Sequence, residues 1–248
     1  MRKSLILIVA LLIAACTPQP KPQQAPVAPV SGFPANFPTT FYTSAQAGTV
    51  YRVAPAQSSL ILKVFKSGAL AALGHNHVIT SRSVDGFIYL ADDLAAARAD
   101  LFVRVEQLTV DDAAARTAAG PDFTSQPTQQ DIEGTRTNML GPKLLDAEHF
   151  PFITAHVTPG HIRMEASDVE LGLTVRDKTA RIPIVVTWQR EGNELHVATT
   201  FVTDHATLSL EPFSALGGSL RVADKIEVAV ALTAHRVDVK SAGNAPDS

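Results

Sequence analysis

The sequence predicts an all-β domain that follows an export signal and a proline-rich linker. Apolar and polar residues alternate with a period of two in segment after segment from Tyr51 onward, which is typical of half-buried strands. Helical periodicity is confined to short stretches, and seven prolines stand between Thr17 and Gly48. We therefore expect one folded domain over residues 49–240, followed by a disordered tail over 241–248.

Residues 1–16 are typical of a lipoprotein signal peptide. Arg2 and Lys3 precede an apolar run over 5–12 that is too short to span a bilayer. The segment ends in Leu-Ile-Ala-Ala-Cys, which resembles the lipobox, where small residues precede a lipidated cysteine. Cys16 is therefore the expected lipid attachment site. An ordinary secretory signal with an incidental cysteine is the alternative.

A lipidated Cys16 would anchor the protein in the bacterial cell envelope, facing the periplasm, because two or more acyl chains bind a membrane stably. Thr17 stands where lipoproteins of the inner membrane commonly have aspartate, so the sequence favours the outer membrane. Residues 17–48 are rich in proline, glutamine, alanine and threonine, and we expect them to form a disordered, semi-rigid tether.

The predicted strands carry their apolar residues on one face, which we expect to line a barrel interior. Alternation places the side chains of every second residue on the same face of a strand. Thirteen residues share this predicted position: Leu60, Leu62, Val64, Leu101, Val103, Val105, Ile182, Ile184, Val186, Trp188, Ile226, Val228 and Val230. Further strands are expected at 84–90, 152–157, 169–175, 195–201 and 206–210. About eight or nine strands suffice to close a barrel, although a β-sandwich produces the same alternation.

Two segments interrupt the strand pattern. Residues 111–119 are alanine-rich with acidic residues at the start, which indicates a helical turn. Residues 137–147 indicate a second, broken by Gly141-Pro142. These short helices would either cover a barrel mouth or serve as plain surface connections.

Several segments, in chain order, together resemble the YceI family. Residues 51–59 have an aromatic start with proline and serine before an apolar run, as in that family's first strand. Residues 136–140 and 145–151 resemble its helix and the acidic, aromatic and proline-containing start of the next strand. Residues 172–184 resemble its Leu-Thr hairpin, and residues 222–228 its last strand.

The resemblance implies an antiparallel, eight-stranded, lipocalin-like β-barrel with one or two short helices. It also implies that the interior binds a polyisoprenoid or other amphiphilic ligand, such as a fatty-acyl lipid. Burial of a long apolar tail would drive such binding. The alternative is that the inward aliphatic side chains simply fill the barrel as its core.

Gly74-His75-Asn76-His77 is the polar cluster that stands out in the sequence. On an extended strand His75 and His77 project to the same face, so they could hold Zn²⁺ or Cu²⁺ with a third ligand from elsewhere. The candidates for that ligand are His149, His156 and His161. A hydrogen-bonding role at the barrel rim and contacts with a ligand head group are the other two interpretations, and a metal-binding or metal-stress protein is the alternative function.

Composition and motifs exclude several classes. Charged residues make up 18% of the chain and the formal net charge is −3, so no strong field favours nucleic acid. Cys16 is the single cysteine, which leaves the domain without a disulfide or a cysteine nucleophile. The sequence contains no Gly-x-Ser-x-Gly elbow and no phosphate-binding loop, which disfavours an enzyme. The oligomeric state stays open.

Replacement of the lipid-bearing residue tests the anchor. We expect Cys16→Ser to release the protein from the membrane fraction, because the acyl chains are then no longer attached. Fractionation of cells that express either form measures the effect. An unchanged membrane fraction would contradict the lipid anchor while leaving the predicted barrel intact.

Overall fold

Strands dominate the computed structural model, which describes residues 32–45, 47–163 and 166–237. Cys16, the start of the predicted tether and the predicted tail lie outside these residues. The strands are β1 (Gly48–Val53), β2 (Ser59–Ser67), β3 (His77–Ser81), β4 (Asp85–Ala91), β5 (Arg98–Arg104), β6 (Thr109–Val110), β7 (Phe152–Pro159), β8 (Ser167–Val175), β9 (Lys178–Glu191), β10 (Glu194–Asp204), β11 (Ser214–Ala215) and β12 (Leu220–Val237).

Antiparallel pairing closes these strands into a barrel. Along one edge β12 pairs with β10, and along the other it pairs with β1 near Val237 and with β2 near Arg221. β1 and β2 therefore follow one another along the same edge of β12 and together count as one strand of the barrel. β4 pairs with β1 and β3 pairs with β2, so β3 and β4 together form the next strand. With β5, β7, β8, β9, β10 and β12, the wall has eight positions. The predicted eight-stranded antiparallel barrel is therefore confirmed.

The two ends of the barrel differ in what covers them. We name one end of the barrel the upper end. There β2 and β10 end and β12 begins, and this end carries the connections 68–76 and 205–219. At the opposite end β1 begins, β12 finishes, and a tight hairpin joins β9 to β10. The long connections are therefore concentrated at the upper end.

Two of the helices lie between β6 and β7. Helix α2 (Ala113–Ala119) begins where the Asp112 side chain accepts a hydrogen bond from the Ala115 N–H, close to the predicted turn. Helix α3 (Gln129–Leu140) begins earlier than the predicted 137–147, because Thr128 and Asp131 form a capping box that starts it. It ends before Gly141-Pro142, where the prediction placed the break within the helix.

One predicted strand is wrong. Residues 206–210 form a turn after β10, in which the Leu208 N–H donates to the Asp204 carbonyl and the Leu210 N–H to the His205 carbonyl. Ser209 adopts a positive φ of 55°, a left-handed conformation that a strand cannot contain. Local hydrogen bonds thus satisfy a backbone whose side chains alternate as they would in a strand.

Residues 32–45 differ from the prediction of a disordered tether that reaches residue 48. They include helix α1 (Thr39–Ser44) and lie along the outer wall of the barrel. Phe33 stacks on Phe87 at a centroid distance of 5.9 Å, and Tyr42 stacks on the same ring at 5.0 Å. Burial of these rings holds the segment against β4.

A buried hydrogen bond fastens this segment to the wall. The Tyr42 hydroxyl donates to Asp100 Oδ2 at 2.5 Å, and the Arg98 Nε–H donates to the same oxygen at 2.9 Å. His156 Nδ1 lies 2.7 Å from Asp100 Oδ1. Burial, and next the hydrogen bond to Asp100, raise the pKa of Tyr42 far above its ordinary value, so the phenol stays a donor.

Removal of the Tyr42 hydroxyl tests this fastening. We expect Tyr42→Phe to lower the free energy of unfolding by about 1.5–3 kcal/mol, because the hydroxyl bonds a charged group away from water. The control is Tyr89→Phe, which loses a hydrogen bond to the neutral Ala47 carbonyl and should cost about 0.5–1.5 kcal/mol. Urea unfolding measures both, and equal losses would contradict a special role for Asp100.

Candidate ligand cavity

The barrel encloses a cavity of about 730 Å³ that runs between its two ends. Near the upper end it is bordered by side chains of α3 and of the connection after β10, such as Met139 and Leu208. Near the opposite end Ile162 and Trp188 border it. Most of the lining in between consists of inward-facing aliphatic residues of the strands.

The structure brings together most of the predicted interior residues. Val105 and Ile182 are the exceptions, since both are buried in the core without bordering the cavity. Val105 begins a short 3-10 turn after β5, and its N–H donates to the Pro151 carbonyl, so the strand alternation stops before it. The residues that do line the cavity are Leu60, Leu62, Val64, Leu101, Val103, Ile184, Val186, Trp188, Ile226, Val228 and Val230.

Polar side chains enter the cavity at one level near the upper end. Across the wall, Thr203 pairs with Ile226, Ile226 with Val64, and Val64 with His77. Residues that pair directly point to the same face, and all four line the cavity. His77 and Thr203 therefore flank the apolar lining at a common level, which we name the polar level.

Asp111 holds the imidazole of His77 in place. The side chain of Asp111 is buried, with Oδ2 lying 2.6 Å from His77 Nδ1, while Oδ1 accepts the Val78 N–H at 2.9 Å. Burial acts to raise the pKa of Asp111, but the hydrogen bonds from His77 and Val78 outweigh it and keep that pKa below its ordinary value. A charged Asp111 fixes the proton on Nδ1 and leaves Nε2 of His77 for a ligand.

Arg116 neutralises Asp111 and ties the surrounding loops together. Its guanidinium Nη1 lies 2.5 Å from Asp111 Oδ1 and donates to the Asn76 carbonyl at 2.7 Å. Nη2 donates to the carbonyls of Phe123 and Ser125 at 2.9 and 2.7 Å. This guanidinium is buried, and its several N–H donors supply the hydrogen bonds that these backbone carbonyls would otherwise make with water.

Two buried polar atoms near this level have no hydrogen-bond partner among the described residues. They are Nδ1 of His75 and Oγ1 of Thr203. Nε2 of His75 lies 3.9 Å from Asp131 Oδ2, too far for a hydrogen bond. Buried polar groups are normally satisfied, so these two atoms are exceptions among the residues that line the cavity.

The histidines do not assemble into the metal site considered from the sequence. His156 lies on the outer wall with Asp100, and His149 Nδ1 lies 2.9 Å from Asp146, whose carboxylate raises the pKa of that imidazole. His161 follows β7 toward the opposite end. Within residues 32–45, 47–163 and 166–237, no three His, Cys, Asp or Glu side chains are grouped to hold a metal ion.

Sequence reasoning missed Asp111, Arg116 and Thr203. The sequence pattern places Asp111 as an acidic residue at the start of a helix. In the structure its positive φ of 55° directs the side chain toward β3. Thr203 is an ordinary strand residue until the register of four strands places it level with His77. No local signal distinguishes either residue, because both roles depend on long-range pairing.

Among the residues that the structure describes, no helix combines the length and the apolar character needed to cross a bilayer.

Comparison with known families agrees with the fold and with the cavity. A sequence model of the YceI-like domain matches residues 51–234, about three quarters of the chain. The chain belongs to the YceI-like domain family. That family is a family of binding-type barrels. None of the curated proteins compared matches the chain.

The fold is similar to that of several solved structures. Burkholderia cenocepacia BcnA is 13% identical with a TM-score of 0.51, and the match covers 73% of this chain and 98% of that one. A polyisoprenoid-binding domain from Saccharophagus degradans, implicated in plant cell wall breakdown, is 15% identical with a TM-score of 0.51. That match covers 76% of this chain and 99% of the other.

The buried Asp111 makes a pH-dependent contribution to stability. We expect Asp111→Asn to lower the free energy of unfolding by about 3–5 kcal/mol at neutral pH, because Arg116 then lies buried without its counter-ion. The folded-state pKa of Asp111 is below its unfolded value of 3.8, so the charged form contributes stability above that value. This contribution is lost as the pH falls through the folded-state pKa.

Urea unfolding of wild type and Asp111→Asn at neutral pH and below about pH 3 measures this effect. The difference between the two proteins should shrink at the lower pH. Asp112→Asn is the matched control, since asparagine caps a helix as well as aspartate does. A difference that is independent of pH would contradict the role of the Asp111 charge.

Proposed function

We propose that the protein binds a polyisoprenoid or other amphiphilic lipid, with the apolar tail in the barrel cavity and the head group at the polar level. The observation that carries this proposal is one cavity that is aliphatic along the barrel and holds unpartnered polar atoms near its upper end. An amphiphile has the same division into an apolar and a polar part.

The cavity suits a lipid tail in size and in chemistry. Its volume of about 730 Å³ lies in the range of small-molecule sites, and its lining offers few hydrogen-bond partners along the strands. Each Å² of apolar tail that it removes from water contributes about 25 cal/mol. The polyisoprenoid-binding description of the Saccharophagus degradans domain supports this ligand class.

The polar level suits an oxygen-bearing head group. Nε2 of His77 is available because Nδ1 is hydrogen-bonded to Asp111, and the Thr203 hydroxyl can donate or accept. Nδ1 of His75 adds a third polar atom nearby. Specificity for the head group therefore rests on His75, His77 and Thr203, whereas the tail contributes most of the affinity.

The proposal includes a location in the cell envelope. Lipidation at Cys16 would anchor the protein in the membrane with the barrel facing the periplasm, and the threonine at position 17 favours the outer membrane. A protein in that place could sequester a lipid or carry it across the aqueous space. The signal-peptide pattern and the lipobox resemblance support this part of the proposal.

Native mass spectrometry combined with organic extraction tests the binding. The protein to use is the chain from Thr17 onward, purified without the acyl anchor. We expect one isoprenoid or acyl lipid for each protein chain. A ligand-free protein, including after incubation with isoprenoid and fatty-acyl lipids, would contradict the proposal.

A pair of neighbouring substitutions on β9 tests whether the ligand binds inside the barrel. Val186 lines the cavity, whereas Val185 is 53% exposed on the outer wall. We expect Val186→Trp to reduce the bound lipid to about a tenth or less, because the indole occupies space that the tail needs. Val185→Trp, the matched control, should keep the wild-type amount. Equal lipid content in both variants would contradict binding in the cavity.

A further inference from the structure

Exposed apolar side chains are concentrated at the upper end of the barrel. Six large apolar residues are exposed in the part of the chain that the structure describes. Val185 and Val202 lie on the outer wall, and the other four belong to the connections 68–76 and 205–219. We name these four the apolar rim: Leu70 (39% exposed), Leu73 (67%), Phe213 (46%) and Leu216 (64%).

The two connections that carry the apolar rim form one continuous surface. The Leu70 N–H donates to the Ser219 carbonyl at 2.8 Å, which joins the loops directly. Residues 68–74 and 212–219 contain no charged side chain, and the charged residues that flank them are Lys66, Glu211 and Arg221. A surface of this kind can enter the interface of a bilayer without desolvating a charge.

The apolar rim borders the cavity. Phe213 of the rim lines it, as do Gly74 and Leu220 in or beside the same connections. A lipid that leaves the cavity past these side chains stays in contact with apolar surface. The polar level lies at the same end, so the head group sits closest to this exit.

The first described residue, Gly32, also lies near the upper end. The Arg104 Nη2–H donates to the Gly32 carbonyl at 2.8 Å, and Arg104 is the last residue of β5 at the upper end. Fifteen residues separate Gly32 from Cys16, a length that reaches about 50 Å when fully extended. With the lipid anchor of the proposed function, this geometry keeps the apolar rim within reach of the bilayer.

We propose that the apolar rim docks on the surface of a lipid bilayer and that the ligand passes between the bilayer and the cavity there. The lipid-passage part rests on the proposed function, whereas docking itself does not. The occupant is a membrane rather than a second copy of the chain, because the cavity opening and Gly32, only fifteen residues from the proposed lipid anchor, both lie at this end.

Vesicle binding tests the docking. The protein is the chain from Thr17 onward without the anchor, mixed with vesicles of phosphatidylethanolamine and phosphatidylglycerol. We expect the double variant Leu73→Glu, Leu216→Glu to bind at least about tenfold more weakly than wild type, because each carboxylate would have to enter the bilayer interface. The matched control is Val185→Glu, Val202→Glu, which adds the same charge on the outer wall and should bind as wild type does.

Further measurements separate this proposal from the binding proposal. Native mass spectrometry of the same variants reports bound lipid, and sedimentation reports self-association. Weaker vesicle binding in the rim variant alone supports docking, whether or not a lipid co-purifies. Equal vesicle binding by rim and control variants overturns docking, even when both variants retain lipid. A wild-type dimer that the rim variant disrupts, with no vesicle binding, also overturns it and assigns the rim to a second copy.

Discussion

Closure of the barrel by β12 is the constraint on which the rest of the structure depends. This strand of 18 residues pairs with β10 along one edge and with both β1 and β2 along the other. Ser58 lies where β1 gives way to β2, with its hydroxyl accepting the Thr233 N–H at 3.2 Å and lying 2.9 Å from the Ala54 carbonyl. The hydroxyl thereby continues the hydrogen-bonded ladder across the break, and the barrel has no open edge along β12.

Closure creates the cavity and decides what faces it. Because side chains alternate along each strand, the register of β12 determines which residues share a level inside the barrel. The polar level has a polar side chain at each of its two ends, Thr203 and His77. The next level inside the barrel is apolar throughout and consists of Phe201, Val228, Leu62 and Ile79. The buried Asp111–Arg116 pair then orients His77 from outside the lining. In the proposed function, the strand register therefore determines both where the head group binds and where the tail binds.

Much of the fold and part of the site could be predicted from the sequence. The period-two pattern is strong where one face is buried, so the strands around Leu62, Leu101 and Val228 and their inward faces were predictable. Val105 was not, because the chain turns after Arg104. The failure at 206–210 has a related cause, since a turn closed by local hydrogen bonds can carry the same alternation as a strand. Helix α3 begins earlier than the sequence prediction because the Thr128 capping box starts it.

The remaining features depend on contacts between distant parts of the chain. Phe33 and Tyr42 lie in a proline-rich composition that indicates a tether, and only the aromatic surface around Phe87 explains why they pack on the barrel. The contact between His77 and Asp111 requires a positive φ at Asp111. His77 and Thr203 lie at one level only because β10 pairs with β12, β12 with β2, and β2 with β3. Composition and periodicity contain neither kind of information.

Photo-crosslinking reports the orientation of the bound lipid in the cavity. A polyisoprenoid with a diazirine on its head group would be incubated with the chain from Thr17 onward, irradiated, and the labelled peptides identified. We expect labels on β3 and β10 near His77 and Thr203. Labels near Ile162 and Trp188, at the opposite end of the cavity, would contradict it.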